Sequence, residues 1–416
     1  MKIINIHACE ILNAQGLPAI ECSIELEDKT IINSCVSSGT FKGKYEAFEL
    51  LDGGSRFSGK GVLKATEVIN NIIAPEFLGK EPNAIDMDIK MLQMDGTTDK
   101  SNFGANSILA VSMAMYRAHA MILNMELFDF IAMASGLETV SLPIPMINFI
   151  SGNSQADNNL FIQEYLVIPY GAKNVKSSLE QSVKLFYSLK ENLLKNKKTT
   201  LKSKEGSFAP KFENAQEPLD YIIEAIKSSK LDNDIFSLGI DSAASQYYDE
   251  NEESYNVKNK KISSQELIEF YKLFADEYNL FSLEDPLDQD DWQGWIELYN
   301  VLGEKTHIIG DDLFATNPNR ISKGIELGAA NTVLIKPNQI GTITETLQSI
   351  ALCKENGLST IVAHSANETN DTFIVDLAVG SNSSYIKCGG LTGGENICKY
   401  NRLIEIERQL LELTGS

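Results

Sequence analysis

The sequence predicts an α/β protein in two parts: an N-terminal α+β domain over residues 1–130 and a βα barrel over residues 131–416. Three observations carry this expectation. The opening forty residues alternate polar and apolar positions in INIHACEIL, AIECSIELE and TIINSCV, with turn residues between them, which reads as a three-strand antiparallel meander. Helical periods follow in GKGVLKATEVINNIIAPEFL and SNFGANSILAVSMAMYRAHAMIL. From PIPMINFISG onward, apolar strand-like runs alternate with amphipathic stretches, and SSKLDNDIFSLGID, DEYNLFSLEDP and KENGLSTIVAHS each read as a helix exit followed by a buried strand.

At 416 residues and 43% hydrophobic composition the chain can fill a large barrel core and a smaller domain beside it. A net charge of -21 argues against nucleic acid and anionic membrane surfaces as partners, because both are polyanions. A small anionic substrate must then be met by local cations. The six cysteines show no C-x-x-C pairing, and MKIINIHACE has no apolar signal core, so a cytoplasmic location is expected. SILAVSMAMYRAHAMIL carries Arg117 and His119 and reads as a buried helix, with no membrane insertion expected. Two polar stretches, KNKKTTLKSKEG and YDENEESYNVKNKK, read as solvated loop or hairpin surface.

Five segments of the second part place an ionisable residue at the end of an apolar run: SLGIDSAAS, FSLEDP, HIIGDDL, TVLIKPNQIG and SYIKCGG. In a TIM-like barrel the strand C-termini open onto one face, so Asp241, Glu284, Asp311, Lys336 and Lys387 are expected to converge there. Three carboxylates brought together repel unless a cation lies among them, and oxygen donors without Cys or His suit Mg²⁺. Lys336, desolvated beside such a cation, is expected to have a lowered pKa and to act as a base.

The chain resembles the enolase family over nearly its whole length. The resemblance rests on GKGVLKA, GANSILAVSMA, QEYLVIP, GSFAP, IDSAAS, EDP with DDW, GDDL with TNP, LIKPNQIGT, ETNDTFIVDLAVG and KYNRLIEIE, in that order. It implies an enolase-type barrel in which Asp241, Glu284 and Asp311 bind Mg²⁺ and Lys336 abstracts the proton α to the substrate carboxylate. Lys387 would face the developing dianion, and Glu205 with Glu164 would protonate the leaving hydroxyl and orient water. Gln163, Gln155, His364 and Ser365 would line the substrate, and Ser38, Gly39, Thr40, Phe41 and Lys42 would form a lid loop. The resemblance also implies a homodimer or higher homo-oligomer, although Cys9 stands where the family has an interface arginine.

Departures from the family pattern concern the phosphate. SGTFK replaces SGAST in the lid, and HSANET replaces HRSGET, so Ser365 and Ala366 stand where an arginine and a serine hold the phosphate. Gln155 takes the place of a histidine and Lys204 that of an aspartate; NAQGLP replaces DSRGNP, and TGGEN an ARSER-like element. Two readings stay open at this point. One is a Mg²⁺-dependent hydro-lyase acting on 2-phosphoglycerate or a related 3-hydroxy carboxylate, with Lys42 or Lys204 as alternative phosphate contacts. The other is an inactive homologue that acts as a binding or regulatory protein.

Overall fold

The computed structural model describes residues 1–37, 43–258 and 260–414. Its N-terminal part is built on an antiparallel sheet of β1 (Ile3–Leu12), β2 (Pro18–Leu26) and β3 (Ile31–Ser37), in that order. Alternation sends Ile20, Cys22, Ile24 and Leu26 inward under the helix Ala105–Ile122, which is buried along almost its whole length. The run GKGVLKATEVINNIIAPEFL is helical as expected, but a π-helical turn at Ile69–Ile73 divides it into Leu63–Val68 and Ala74–Phe77.

The second part is a closed eight-strand barrel. Its strands are β4 (Ile144–Ser151), β5 (Glu164–Ile168), β6 (Ser237–Asp241) and, after a small sheet of β7 (Tyr248–Asp249), β8 (Ser254–Val257) and β9 (Lys260–Ile262), β10 (Ser282–Glu284), β11 (His307–Gly310), β12 (Thr332–Ile335), β13 (Ser359–Ala363) and β14 (Tyr385–Lys387). The polar stretch YDENEESYNVKNKK makes the small sheet. Inside the barrel Met146, Leu166, Ile168, Ile309, Leu334, Ile361 and Tyr385 pack as a continuous apolar plug, so its interior is a core and not a pore.

One strand departs from the simple βα alternation. β5 runs antiparallel to both β4 and β6. The connection from β4 to β5 contains only a short 3₁₀ turn, Asn153–Gln155, and a parallel crossover needs a longer path, usually through a helix. The hairpin therefore stays at the end where β4 finishes, and it is the first residue of β5, Glu164, that opens onto that face.

The two parts are joined by buried polar contacts. Arg117, on the helix Ala105–Ile122, grips Asp371 through two bonds of 2.7 and 2.8 Å and also donates to the carbonyl of Asn33. Asp371 in turn accepts the backbone N–H groups of Cys35 and Phe373. Nearby, Asp88 accepts hydroxyl protons from Ser112 and Thr344, and Lys100 meets Glu345 at 2.7 Å. Removing one partner of a buried pair leaves the other uncompensated, at a cost of about 3–5 kcal/mol. Asp371→Ala is therefore expected to lower the urea midpoint of unfolding strongly, with Arg117→Ala giving a similar loss and the double variant costing less than the sum; additive effects would show that the pair is not coupled.

Candidate active site

Strand register assembles the acidic groups. Glu164 on β5 lies opposite Asp241 on β6, which lies opposite Glu284 on β10, so three carboxylates form a row across neighbouring strands. All three are buried. Like charges directly opposite one another destabilise a sheet, so this row requires a counter-charge. From β14, Lys387 Nζ supplies one, lying 2.8 Å from Glu164, 2.8 Å from Glu284 and 3.7 Å from Asp241.

A second group faces the row. Lys336, just after β12, meets Asp311, just after β11, at 2.5 Å, and Gln339 donates to the other oxygen of Asp311 at 2.8 Å. Thr316 ties this pair to the scaffold, donating to Gln339 and accepting from the backbone N–H of Lys336. It does so at a φ of +52°, a conformation that a β-branched residue rarely adopts. His364 Nε2 lies 3.2 Å from Glu205, and Gln155 donates to Glu164 at 2.9 Å while accepting from Ser151. Gln163 donates to Asp241 at 3.1 Å, and Ser365 donates to Asn338 at 2.7 Å.

Every site residue expected from the sequence outside the lid lines this one pocket: Gln155, Gln163, Glu164, Glu205, Asp241, Glu284, Asp311, Lys336, His364, Ser365 and Lys387. The lid positions Ser38, Gly39, Thr40, Phe41 and Lys42 lie outside the described residues. The pocket also contains groups that the sequence reading passed over. Asp285, the residue after Glu284, is buried at a φ of +39° and accepts the backbone N–H groups of Asp311 and Asp312 at 2.9 Å each, so it fixes the loop that presents Asp311. Glu46 comes from the N-terminal part and accepts from the N–H of Gly43. The EDP motif was the available signal for Asp285, whereas nothing in the local pattern around Glu46 marks it.

The charge balance is lopsided. Eight carboxyl groups and three lysines line the pocket among the described residues. Burial and the charge of Glu164 push Glu205 up to about 8, burial and Asp311 push Asp312 to about 8, and burial pushes Glu46 to about 7 and Asp241 to about 6. Burial also opposes ionisation of Glu164, yet Lys387 and Gln155 together hold it below the usual carboxylate value. Burial, assisted by the charges of Lys399, Lys387 and Lys336, keeps His364 neutral.

Lys336 differs from expectation. Desolvation lowers its pKa, but the charge and hydrogen bond of Asp311 outweigh burial and raise it above the ordinary lysine value. A spacing argument can find the lysine but cannot find a carboxylate 2.5 Å from it.

Carboxylate oxygens in excess are a donor set for a hard divalent cation. One oxygen from each of Asp285, Asp311 and Asp312 lies within 4.8 Å of the others, and these could hold an ion. Both oxygens of Asp285 accept backbone N–H groups, and those of Asp311 accept from Lys336 and Gln339, so an ion held there would displace one of these contacts, with Asp241 and Glu284 lining the same pocket.

The raised carboxyl values fix a sign. Their folded pKa lies above the unfolded one, so their stabilising contribution is complete below the unfolded carboxylate range and is lost as pH rises through about 6 to about 8. His364, whose folded pKa is depressed, acts oppositely below about pH 6.5. Protein stripped of divalent cations is therefore expected to melt several degrees higher at about pH 6.5 than at about pH 8.5, and added Mg²⁺ to raise the melting temperature more at the higher pH. A melting temperature that does not change with pH and cation would refute this account of the charge balance.

Comparison with known proteins agrees along the whole chain. Residues 3–131 match the family model described as the enolase N-terminal domain, and residues 139–414 that of the enolase C-terminal TIM barrel domain. An enolase of a Nitratiruptor species is 43% identical over 409 residues, covering 98% of this chain and 96% of that protein. The enolase of Helicobacter pylori (strain Shi470) is 42% identical over 416 residues, covering 99% and 96%. With the strand-borne acids and lysines gathered in one pocket and both domain models matched in order, this chain belongs to the enolase family.

Proposed function

We propose that this protein is a Mg²⁺-dependent hydro-lyase that removes the α-proton and the β-hydroxyl of 2-phosphoglycerate or a related 3-hydroxy carboxylate. The observation that supports it most is the in-register row of Glu164, Asp241 and Glu284, with Lys387 on one side and the Lys336–Asp311 pair facing it. Mg²⁺ held by Asp241, Glu284 and Asp311 would supply positive charge against the substrate carboxylate and against the dianion that forms when the α-proton leaves.

The chain's own groups divide the remaining work. Lys336 takes the C2 proton onto Nζ, which requires it to be neutral. Asp311 is both a proposed metal ligand and the partner that keeps Lys336 protonated, so the lysine becomes a base only when the Asp311 charge is engaged elsewhere. Glu205, pushed up to about 8 by burial, carries a proton at neutral pH and delivers it to the C3 hydroxyl as the C3–O bond breaks and the C2=C3 bond forms. Neutral His364 orients that acid from 3.2 Å. Lys387 keeps Glu164 ionised, so Glu164 is available to orient water.

The test is the absorbance assay for phosphoenolpyruvate formation from 2-phosphoglycerate with Mg²⁺. Lys336→Ala is expected to reduce turnover on the order of 10²–10⁴-fold, and removal of Mg²⁺ by EDTA to abolish it reversibly. Activity in the wild type no greater than in Lys336→Ala would reject phosphoglycerate as substrate.

A further inference from the structure

Resting on the lyase reading above, we infer that Lys204 recognises the second anionic group of the substrate, a phosphoryl or similar dianionic substituent at C2. Anion recognition in this chain then comes from the loop that carries Glu205 and not from the wall that follows β13.

The wall after β13 is poorly equipped for a dianion. Ser365 already spends its hydroxyl proton on Asn338 at 2.7 Å, and its backbone N–H on Glu368 at 2.9 Å. Behind it, Glu368 is a carboxylate whose other oxygen is paired at 3.0 Å with Lys399, a lysine wholly buried and unable to reach outward. An anion placed there would meet two occupied donors and a negative charge. Ala366 adds no polar group.

The other lysines of the pocket are also committed. Lys387 is shared by three carboxylates and Lys336 is held by Asp311. Lys204 lines the same pocket and, among the described residues, has no carboxylate within ion-pair distance. Its Nζ makes one long contact, 3.4 Å to the carbonyl of Ser154, which a stronger acceptor would displace. Its backbone N–H points to the carbonyl of Gln155 at 3.4 Å, so the lysine rests against the β4–β5 connection next to the amide that steadies Glu164. An exposed ammonium on a flexible stem binds phosphate as a point charge and does not need the planar fork of an arginine. In a pocket where carboxyl groups outnumber lysines eight to three, that uncommitted charge decides whether a second anionic group is tolerated.

The experiment is calorimetric titration, in the presence of Mg²⁺, of the Lys336→Ala protein, which leaves ligands unconverted. 2-Phosphoglycerate is compared with glycerate, which lacks the phosphate, with Lys204 intact, as Lys204→Ala and as Lys204→Arg. With Lys204 intact the phosphorylated ligand is expected to bind about tenfold or more tighter than glycerate. Lys204→Ala should lose that advantage without changing glycerate affinity, and Lys204→Arg should keep most of it. Unchanged 2-phosphoglycerate binding in Lys204→Ala, equal weakening of both ligands, or no binding preference with Lys204 intact would each overturn the assignment. The lyase reading is read separately, from turnover with Lys336 present. A protein that keeps the Lys204-dependent preference but turns nothing over would remove that reading and leave Lys204 as the anion contact.

Discussion

The Nζ atom of Lys387 lies within 3.7 Å of carboxylates from three adjacent strands, and most of the pocket's arrangement follows from the need to keep that cluster neutral enough to fold. A buried carboxylate without a partner is among the costliest groups a protein can carry. Here the row of Glu164, Asp241 and Glu284 outnumbers its one ammonium, so protonation, Lys336 and a bound cation are the means left to balance it. The same imbalance gives the site its chemistry. Burial and the charge of Glu164 keep a proton on Glu205, while the charge and hydrogen bond of Asp311 keep one on Lys336 against its own burial.

The backbone around this face is correspondingly strained. Ala243 follows Asp241 by two residues, Asp285 follows Glu284, and Ala315 and Thr316 lie beneath Lys336, all at positive φ without being glycine. Each such residue costs roughly 1–3 kcal/mol and persists because surrounding contacts over-determine it. For Asp285 those contacts are the two N–H groups of the Asp311 loop, and for Thr316 they are Gln339 and the N–H of Lys336. The strain therefore lies in the turns that present the pocket side chains, and among the described residues only the β4–β5 pairing of the barrel strands carries a register shift, between Asn148 and Ile150.

Much of this could be read from the sequence, for specific reasons. An apolar run ending in Asp, Glu or Lys identifies a strand and a charge at its end, and all five such residues lie in one pocket. The direction of β5 could not be read in the same way, because EYLVI is as apolar backwards as forwards; the clue was the absence of a helical period between β4 and β5. Glu46 gains its importance from a fold that brings it into one cluster with Asp311 and Lys336, far along the chain, and no local pattern reports that, whereas Asp312 stands next to Asp311 in the GDDL run. The protonation of Lys336 escaped for a related reason: a pKa depends on distances, and the sequence supplies only neighbours.

Closure of the barrel has a temporal side. β4 pairs with β14, the last strand of the barrel, through Ile144 and Tyr385, so the cylinder is incomplete until the segment carrying Lys387 has left the ribosome. The residues that make up the acidic row emerge first, and the lysine that neutralises them emerges last. A nascent chain lacking Lys387 would have to bury three facing carboxylates without their shared cation, and non-local pairing of this kind is slow to form. Premature docking of the half-made barrel is thereby disfavoured by charge, so that the final strand both closes the wall and permits its interior to dry.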